Sequence, residues 1–403
     1  MGCQLYETTE PHFLEIVSVA KSDLTMKYCS NCGHRSDDNA KFCGDCGTPF
    51  HTSSQNSTSE NFESGDSKSE NVNPSSSILD GLNGYVGNKN PVNLNWKMLF
   101  VDVLKKHSKS EAENIFICGT NTTTPSIDEV SQQWPHPWLY SRVLLMFLIA
   151  FFLLYICCSV FENSNAIPGL IVVGSFTVPL SGLVLFLEVN AYRNISMYDV
   201  AMIFLVGGCA SLVATLFLFS IIGVGELDYL GALLVGIIEE IGKAVIVYYF
   251  IKKLNKRRIL PGLLIGASVG AGFAAFESAG YAMNCLLGGG WDLMMNVIFL
   301  RGFLTPGGHI AWAAITGVAM IIASKESGAL NSSVFTDKKF LRLFAIPVIL
   351  HALWDCPLSS IGSDIYFWPI VLTILVWVVV LIFINMGLDE IENHKKQNND
   401  EIL

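Results

Sequence analysis

From about residue 138 onward the chain is a succession of long apolar stretches. About eight of them follow one another, roughly 139–161, 167–188, 199–222, 229–251, 259–285, 294–323, 340–361 and 365–387. Each is long enough to cross a hydrocarbon core, which takes about 20 helical residues. In lipid every backbone N–H must find its acceptor within the protein, so such stretches read as helices. Prolines at 168, 179, 347 and 357 are compatible with this where neighbouring helices serve the freed carbonyls. Hydrophobic residues make up 51% and charged residues 15% of the chain, where a soluble domain carries about 25% charged residues. Soluble enzymes and largely disordered proteins are thereby set aside, and a net charge of −10 argues against a nucleic-acid partner. The fold class is an all-α polytopic membrane protein of about eight transmembrane helices.

The loops carry an orientation signal. Arg193, the run Lys252, Lys253, Lys256, Arg257 and Arg258, then Lys338, Lys339 and Arg342, and finally Lys395 and Lys396 all fall on alternate connections. The intervening loops at 162–166, 223–228, 286–293 and 362–364 contain no Lys or Arg. Basic loops stay in the cytoplasm, so both termini are expected there, with the chain multi-pass in the cell membrane.

Ahead of the apolar region lies a different kind of sequence. Residues 1–25 read as an N-terminal extension without the apolar run of a signal peptide. Residues 26–50 hold Cys29, Cys32, Cys43 and Cys46, two Cys-x-x-Cys knuckles with the spacing of a zinc ribbon. Four thiolates close a tetrahedral site, so the expected zinc is structural, and a reducing cytoplasm suits it. With few basic residues, the ribbon reads as an adaptor for a cytoplasmic protein partner. Residues 51–95, rich in Ser, Asn and Glu, read as a disordered linker. Residues 96–137 read as a juxtamembrane segment, 138–388 as the membrane core and 389–403 as a cytoplasmic tail.

Within the apolar segments sit a few ionisable residues: Glu239, Glu240, Lys243, Glu277, Arg301, His309, His351 and Asp355. A charge at membrane depth costs about 2.5–3.5 kcal/mol on insertion scales, so such groups face a polar interior and usually function there. Their spacings cluster them. Glu239 and Lys243 share a helix face, as do Phe273 and Glu277, and His351 and Asp355, while Glu240 is rotated about 100° from Glu239. Counted from the outer ends of their helices, Glu239, Glu277, His309 and His351 lie at a similar depth, roughly 12–22 Å. Gly262, Gly266 and Gly270 form a stripe along which a neighbouring helix can approach. Thr305-Pro-Gly-Gly-His309 is expected to break or widen the sixth segment just before its histidine.

Carboxylates and imidazoles together can activate a water, protonate a leaving amine and donate to an oxyanion. Two histidines and a glutamate also make a chemically plausible metal site, although the His-Glu-x-x-His motif is absent. Taken in order, Glu239-Glu240-Ile-Gly-Lys243, Phe273-Ala-Ala-Phe-Glu277, His309 with Gly317, and His351-Ala-Leu-Trp-Asp355 resemble the four motifs of PrsW-type intramembrane proteases, relatives of CAAX prenyl proteases and bacteriocin-processing homologues. The resemblance spans roughly residues 139–388.

The resemblance implies an endopeptidase, a hydrolase that cleaves membrane-associated proteins, regulatory anti-sigma-factor-like proteins among them. By motif, Glu239 and Glu240 activate water, and Glu277, His309 and His351 complete the catalytic set. Lys243, Phe273 and Asp355 support them. The sequence leaves open whether a metal or a glutamate-activated water does the chemistry. Two other readings compete with the protease. One is a proton-coupled transporter or channel, against which stands the lack of a two-half repeat. The other is a non-catalytic sensor signalling through its ribbon.

Overall fold

The computed structural model describes residues 26–28, 35–37, 74–92, 94–223, 228–327, 330–357 and 367–402. The chain divides into two units, Met1–Val72 and Asn73–Leu403. In the first, β1 (Met26–Tyr28) pairs antiparallel with β2 (Arg35–Asp37), in the register Met26↔Asp37 and Tyr28↔Arg35. Cys29, Cys32, Cys43 and Cys46 lie outside the described residues, and with them the expected zinc ribbon; so does the extension over residues 1–25.

The second unit is helical. Its helices are α1 (Pro74–Val86), α2 (Lys109–Phe116), α3 (Leu139–Ser159), α4 (Ile167–Val189), α5 (Met197–Met202), α6 (Gly208–Ile222), α7 (Tyr229–Lys253), α8 (Ile259–Leu304), α9 (His309–Ser327), α10 (Lys338–Asp355) and α11 (Phe367–Ile402). A π-helical turn at Ile203–Gly207 joins α5 to α6 without a break. The disordered linker expected over 51–95 is thus corrected in its last part. Leu79, Leu82 and Val86 recur at helical spacing, pack on the core and make α1 a helix, and Tyr85 donates to the Arg342 carbonyl at 2.9 Å. Residues 389–402 of the expected tail continue α11. Glu390 accepts from the Ile259 backbone N–H at 2.9 Å and pairs with Lys325 at 3.1 Å, tying the start of α8 and the end of α9 to α11.

Among the described residues five helical stretches are long and apolar enough to cross a membrane: Leu139–Ser159, Ser164–Val189, Met197–Ile222, Ile259–Lys325 and Phe367–Lys396. Their burial is graded. Helix α3 exposes Leu145, Met146, Leu148, Ile149, Phe152 and Leu153, side chains that only a lipid environment accommodates in such number. The first arm of α8 over residues 259–275 and α9 over residues 310–321 are buried on all sides, so they are the centre of the bundle.

The fourth stretch is not one rod. Arg301 Nε donates to Ser278 Oγ at 2.9 Å across 23 residues that a straight helix would spread over roughly 35 Å. The chain reverses at Gly290, whose φ of 81° and ψ of −164° are open to glycine alone. Within the expected sixth segment, 294–323, the chain forms two helical pieces. Residues 291–304 fold back on the first arm of α8. A 3-10 turn at Thr305–Gly307 and a non-helical Gly308 then precede α9, which begins at His309. The expected break before the histidine is where the motif placed it.

One half-buried carboxylate escaped the sequence reading. Glu188, at the end of α4, accepts the backbone N–H groups of Trp138 and Leu139 on one oxygen (2.8 and 2.9 Å) and of Tyr140 on the other (2.9 Å). It caps α3, whose own N-cap residue supplies no side-chain acceptor. Glu188→Ala is expected to lower stability by about 2 kcal/mol, at the upper end for a lost cap, with Glu188→Gln milder because one acceptor survives. Unfolding in detergent, followed by the circular dichroism of the helices, measures both.

Candidate functional site

Helix α7 starts at Asp228, whose carboxylate accepts the Gly231 N–H at 2.7 Å, and ends on Lys252 and Lys253, where cations suit the helix dipole. Between these ends Glu239, Glu240 and Lys243 turn into the bundle and are buried. Gly236 lets α10 come close: a Cβ there would lie 3.0 Å from the backbone nitrogen of Ala352. The glycine stripe of α8 does the same for α9. Gly266 abuts the Ala313 carbonyl and Gly270 abuts the His309 carbonyl, while Gly317 meets Gly262 reciprocally. The stripe is packing, and the packing sets the site, because it fixes the first residue of α9 two turns from Glu277.

The buried groups form one continuous chain of contacts. Arg301, on the folded-back arm of α8, pairs with Glu277 Oε2 and stacks on Tyr281, 4.5 Å from its ring centre. The same Glu277 oxygen lies 3.0 Å from His309 Nε2. His309 Nδ1 lies 2.8 Å from Lys243 Nζ, which donates to Glu240 Oε1 at 2.7 Å. Glu240 Oε1 in turn holds His351 Nδ1 at 2.9 Å. His351 Nε2 faces Asp355 Oδ2 at 3.5 Å and Glu239 Oε2 at 3.7 Å. Phe273 lies beneath Lys243, its ring centre 4.3 Å from Nζ.

All five residues expected to be catalytic, and the three expected to support them, therefore meet in one place. Two details differ from the spacing argument. Lys243 lies closer to Glu240 than to its i−4 partner Glu239, which is 3.6 Å away. The carboxylate nearest His351 is Glu240, across the bundle, rather than Asp355 one turn on. Two further residues belong to the cluster. Arg301 is in the apolar set by sequence, but its pairing with Glu277 depends on the reversal at Gly290. Trp312 stacks on His351 with ring centres 4.4 Å apart, and its position three residues after His309 was the available signal.

Glu239 Oε2 and Glu240 Oε2 are buried and have no hydrogen-bond partner among the described residues. Unpaired buried carboxylate oxygens are costly and point to something that binds there. Glu239, His309 and His351 offer one ligand atom each, all within 4.8 Å of one another, and so form a possible metal site. His351 suits the role, with Nδ1 held by a carboxylate and Nε2 turned toward Glu239. His309 does not: Lys243 is on one ring nitrogen and Glu277 on the other, leaving no lone pair for a metal. With Lys243 in place the set supplies two ligands and a cation, and three-point coordination does not fit.

No curated protein and no solved structure matches the chain. A family model does match over residues 197–384, a narrower span than the 139–388 of the sequence resemblance, running from α5 into α11 and containing all the residues above. That family is described as PrsW family intramembrane metalloprotease, and the match supports a PrsW-type membrane peptidase.

Proposed function

We propose that this chain is an intramembrane endopeptidase that hydrolyses peptide bonds of membrane-associated proteins, regulatory anti-sigma-factor-like proteins among them, through a glutamate and histidine site. The observation that carries the reading is the unpaired Glu239 Oε2, buried at the meeting point of α7, α9 and α10 and facing His351 Nε2. A water held there gives its proton to Glu239 as its oxygen attacks the scissile carbonyl. The carbonyl becomes an oxyanion, to which His351, as an imidazolium anchored by Glu240, donates from Nε2. Collapse breaks the C–N bond, and the proton on Glu239 passes to the leaving amine. Glu277 and Arg301 hold His309, and Lys243 balances Glu240. Purified protein in detergent, incubated with single-pass membrane substrates, tests this directly. Two new termini from a single cut, absent with Glu239→Gln, support it; intact substrate throughout sinks it.

In this reading the helices make eight passes: α3, α4, α5 with α6, α7, the first arm of α8, α9, α10 and α11. Both termini are cytoplasmic, with the Lys/Arg-rich connections on that side. A cysteine at residue 226 or 289 is expected to react with an impermeant maleimide from outside, whereas one at 255 is not; external labelling of 255 overturns the orientation.

The four cysteines are proposed to hold one structural zinc in a ribbon that binds a cytoplasmic protein partner, apart from the peptidase site. Cutting the chain near residue 90 is expected to remove that zinc by elemental analysis and to leave cleavage measurable. A folded but wholly inactive core speaks against the ribbon as an accessory.

A further inference from the structure

The unresolved element of the site is its own cation. Lys243 Nζ is fully buried between Glu240 Oε1 at 2.7 Å, His309 Nδ1 at 2.8 Å and Glu239 Oε2 at 3.6 Å. Its remaining neighbours are aromatic: the Phe273 ring centre at 4.3 Å and that of Trp312 at 5.7 Å, faces that favour a cation. An ammonium has three N–H donors and no acceptor. It therefore donates to His309 Nδ1, which must be bare, so the ring proton sits on Nε2 and donates to Glu277. That single assignment satisfies both ring nitrogens of His309. The ammonium thus uses the one lone pair that His309 could give a metal, and it places a positive charge against the Glu239 oxygen that a metal would also need.

We propose that Lys243 is the resident cation of this site, excluding a divalent metal from Glu239, His309 and His351 and fixing His309 with its proton on Nε2. Lys243 acts as a positioning residue. It turns His309 into a donor toward Glu277 and leaves Glu239 Oε2, 3.7 Å from His351 Nε2, without a hydrogen-bond partner among the described residues. For its catalytic consequence the inference rests on the peptidase reading; the occupancy itself does not.

The test counts metal and needs no substrate. Full-length wild type and Lys243→Met are purified from zinc-supplemented medium and analysed for zinc per chain. Whatever the four cysteines hold is common to both, so the difference is the readout. Lys243→Met is expected to carry about one more zinc per chain than the wild type, and that increment is expected to vanish when His351→Ala is added. Lys243→Arg keeps a cation and is expected to match the wild type. The methionine variant leaves Glu240 buried beside no cation and can fail to fold. The double variant Lys243→Met with Glu240→Gln removes that unpaired charge, keeps all three candidate ligands and answers the same question. A wild-type zinc that is lost with His351→Ala overturns the proposal. So does equal zinc in the wild type and in both methionine variants, since something other than Lys243 would then be keeping the metal out. Failure of the peptidase reading shows separately, as uncut substrate, and leaves the zinc difference unchanged.

Discussion

Glu239→Gln and Glu240→Gln are each expected to reduce hydrolysis by about 10²–10⁴-fold, the range typical of a lost general base, while the protein stays folded. The amide keeps the volume and the hydrogen-bonding reach of the side chain but cannot take up a proton. The two losses have different origins. Glu239 is the proposed base, with its Oε2 open, so its amide removes proton transfer itself. Glu240 holds Lys243 and the Nδ1 of His351 on one oxygen, so its amide lets the imidazole turn and loosens the cation. Adding Lys243→Met to Glu240→Gln therefore costs less than the product of the two single losses, because both act on one hydrogen-bonded unit. His309→Ala and His351→Ala are expected to lose activity on a similar scale. Cys356→Ser, a partly exposed thiol just past α10 whose backbone N–H bonds the Ala352 carbonyl, is expected to change little. Rates are compared at matched expression and matched detergent stability. Full activity in both glutamate variants would dismiss the peptidase assignment and leave the cluster as an ion-pair network holding helices together.

How far the sequence could see into this site follows from the range of each interaction. Helix identity was legible because long apolar runs in lipid have one backbone solution. The meeting of Glu239, Glu277, His309 and His351 was legible because charges that cannot face lipid must face one another, and helical rise sets their depth. What stayed hidden depends on contacts between residues far apart in the chain. Nothing local marks Glu188 as the cap of a helix 48 to 50 residues earlier. Arg301 reads as one more charge in a sixth helix until Gly290 reverses the chain and returns it to Glu277. The pairing of His351 with Glu240 rather than Asp355 is decided by how close α10 comes to α7 at Gly236, a distance that i, i+4 arithmetic cannot supply. Helix α1 failed for another reason. Its three core contacts are diluted in a polar stretch, and tertiary packing overrides composition there.

The stripe on α8 allows a test in which one substitution type changes sign along one helix. Gly270→Ala places a Cβ against the His309 carbonyl and 2.8 Å from the Ala313 Cβ. The opposing carbonyl is backbone within α9, so relief requires α9 to move as a body. Overpacking of this kind costs about 1–3 kcal/mol, and contact with backbone places it at the upper end. Gly280→Ala, ten residues further along, meets nothing within 4 Å. There the same methyl only restricts the unfolded chain and is expected to stabilise by about 0.5–1 kcal/mol. Activity should separate the two further. A shift of α9 carries His309 away from Glu277 and Lys243, and a misplacement of about 1 Å can cost about 10²-fold in rate. Gly270→Ala is thus expected to be destabilised and nearly inactive, with Gly280→Ala fully active and slightly more stable. Thermal unfolding in detergent and initial cleavage rates measure both quantities. Equal activity in the two variants would mean that the approach of α8 to α9 does not position His309, and that the stripe serves only to pack the bundle.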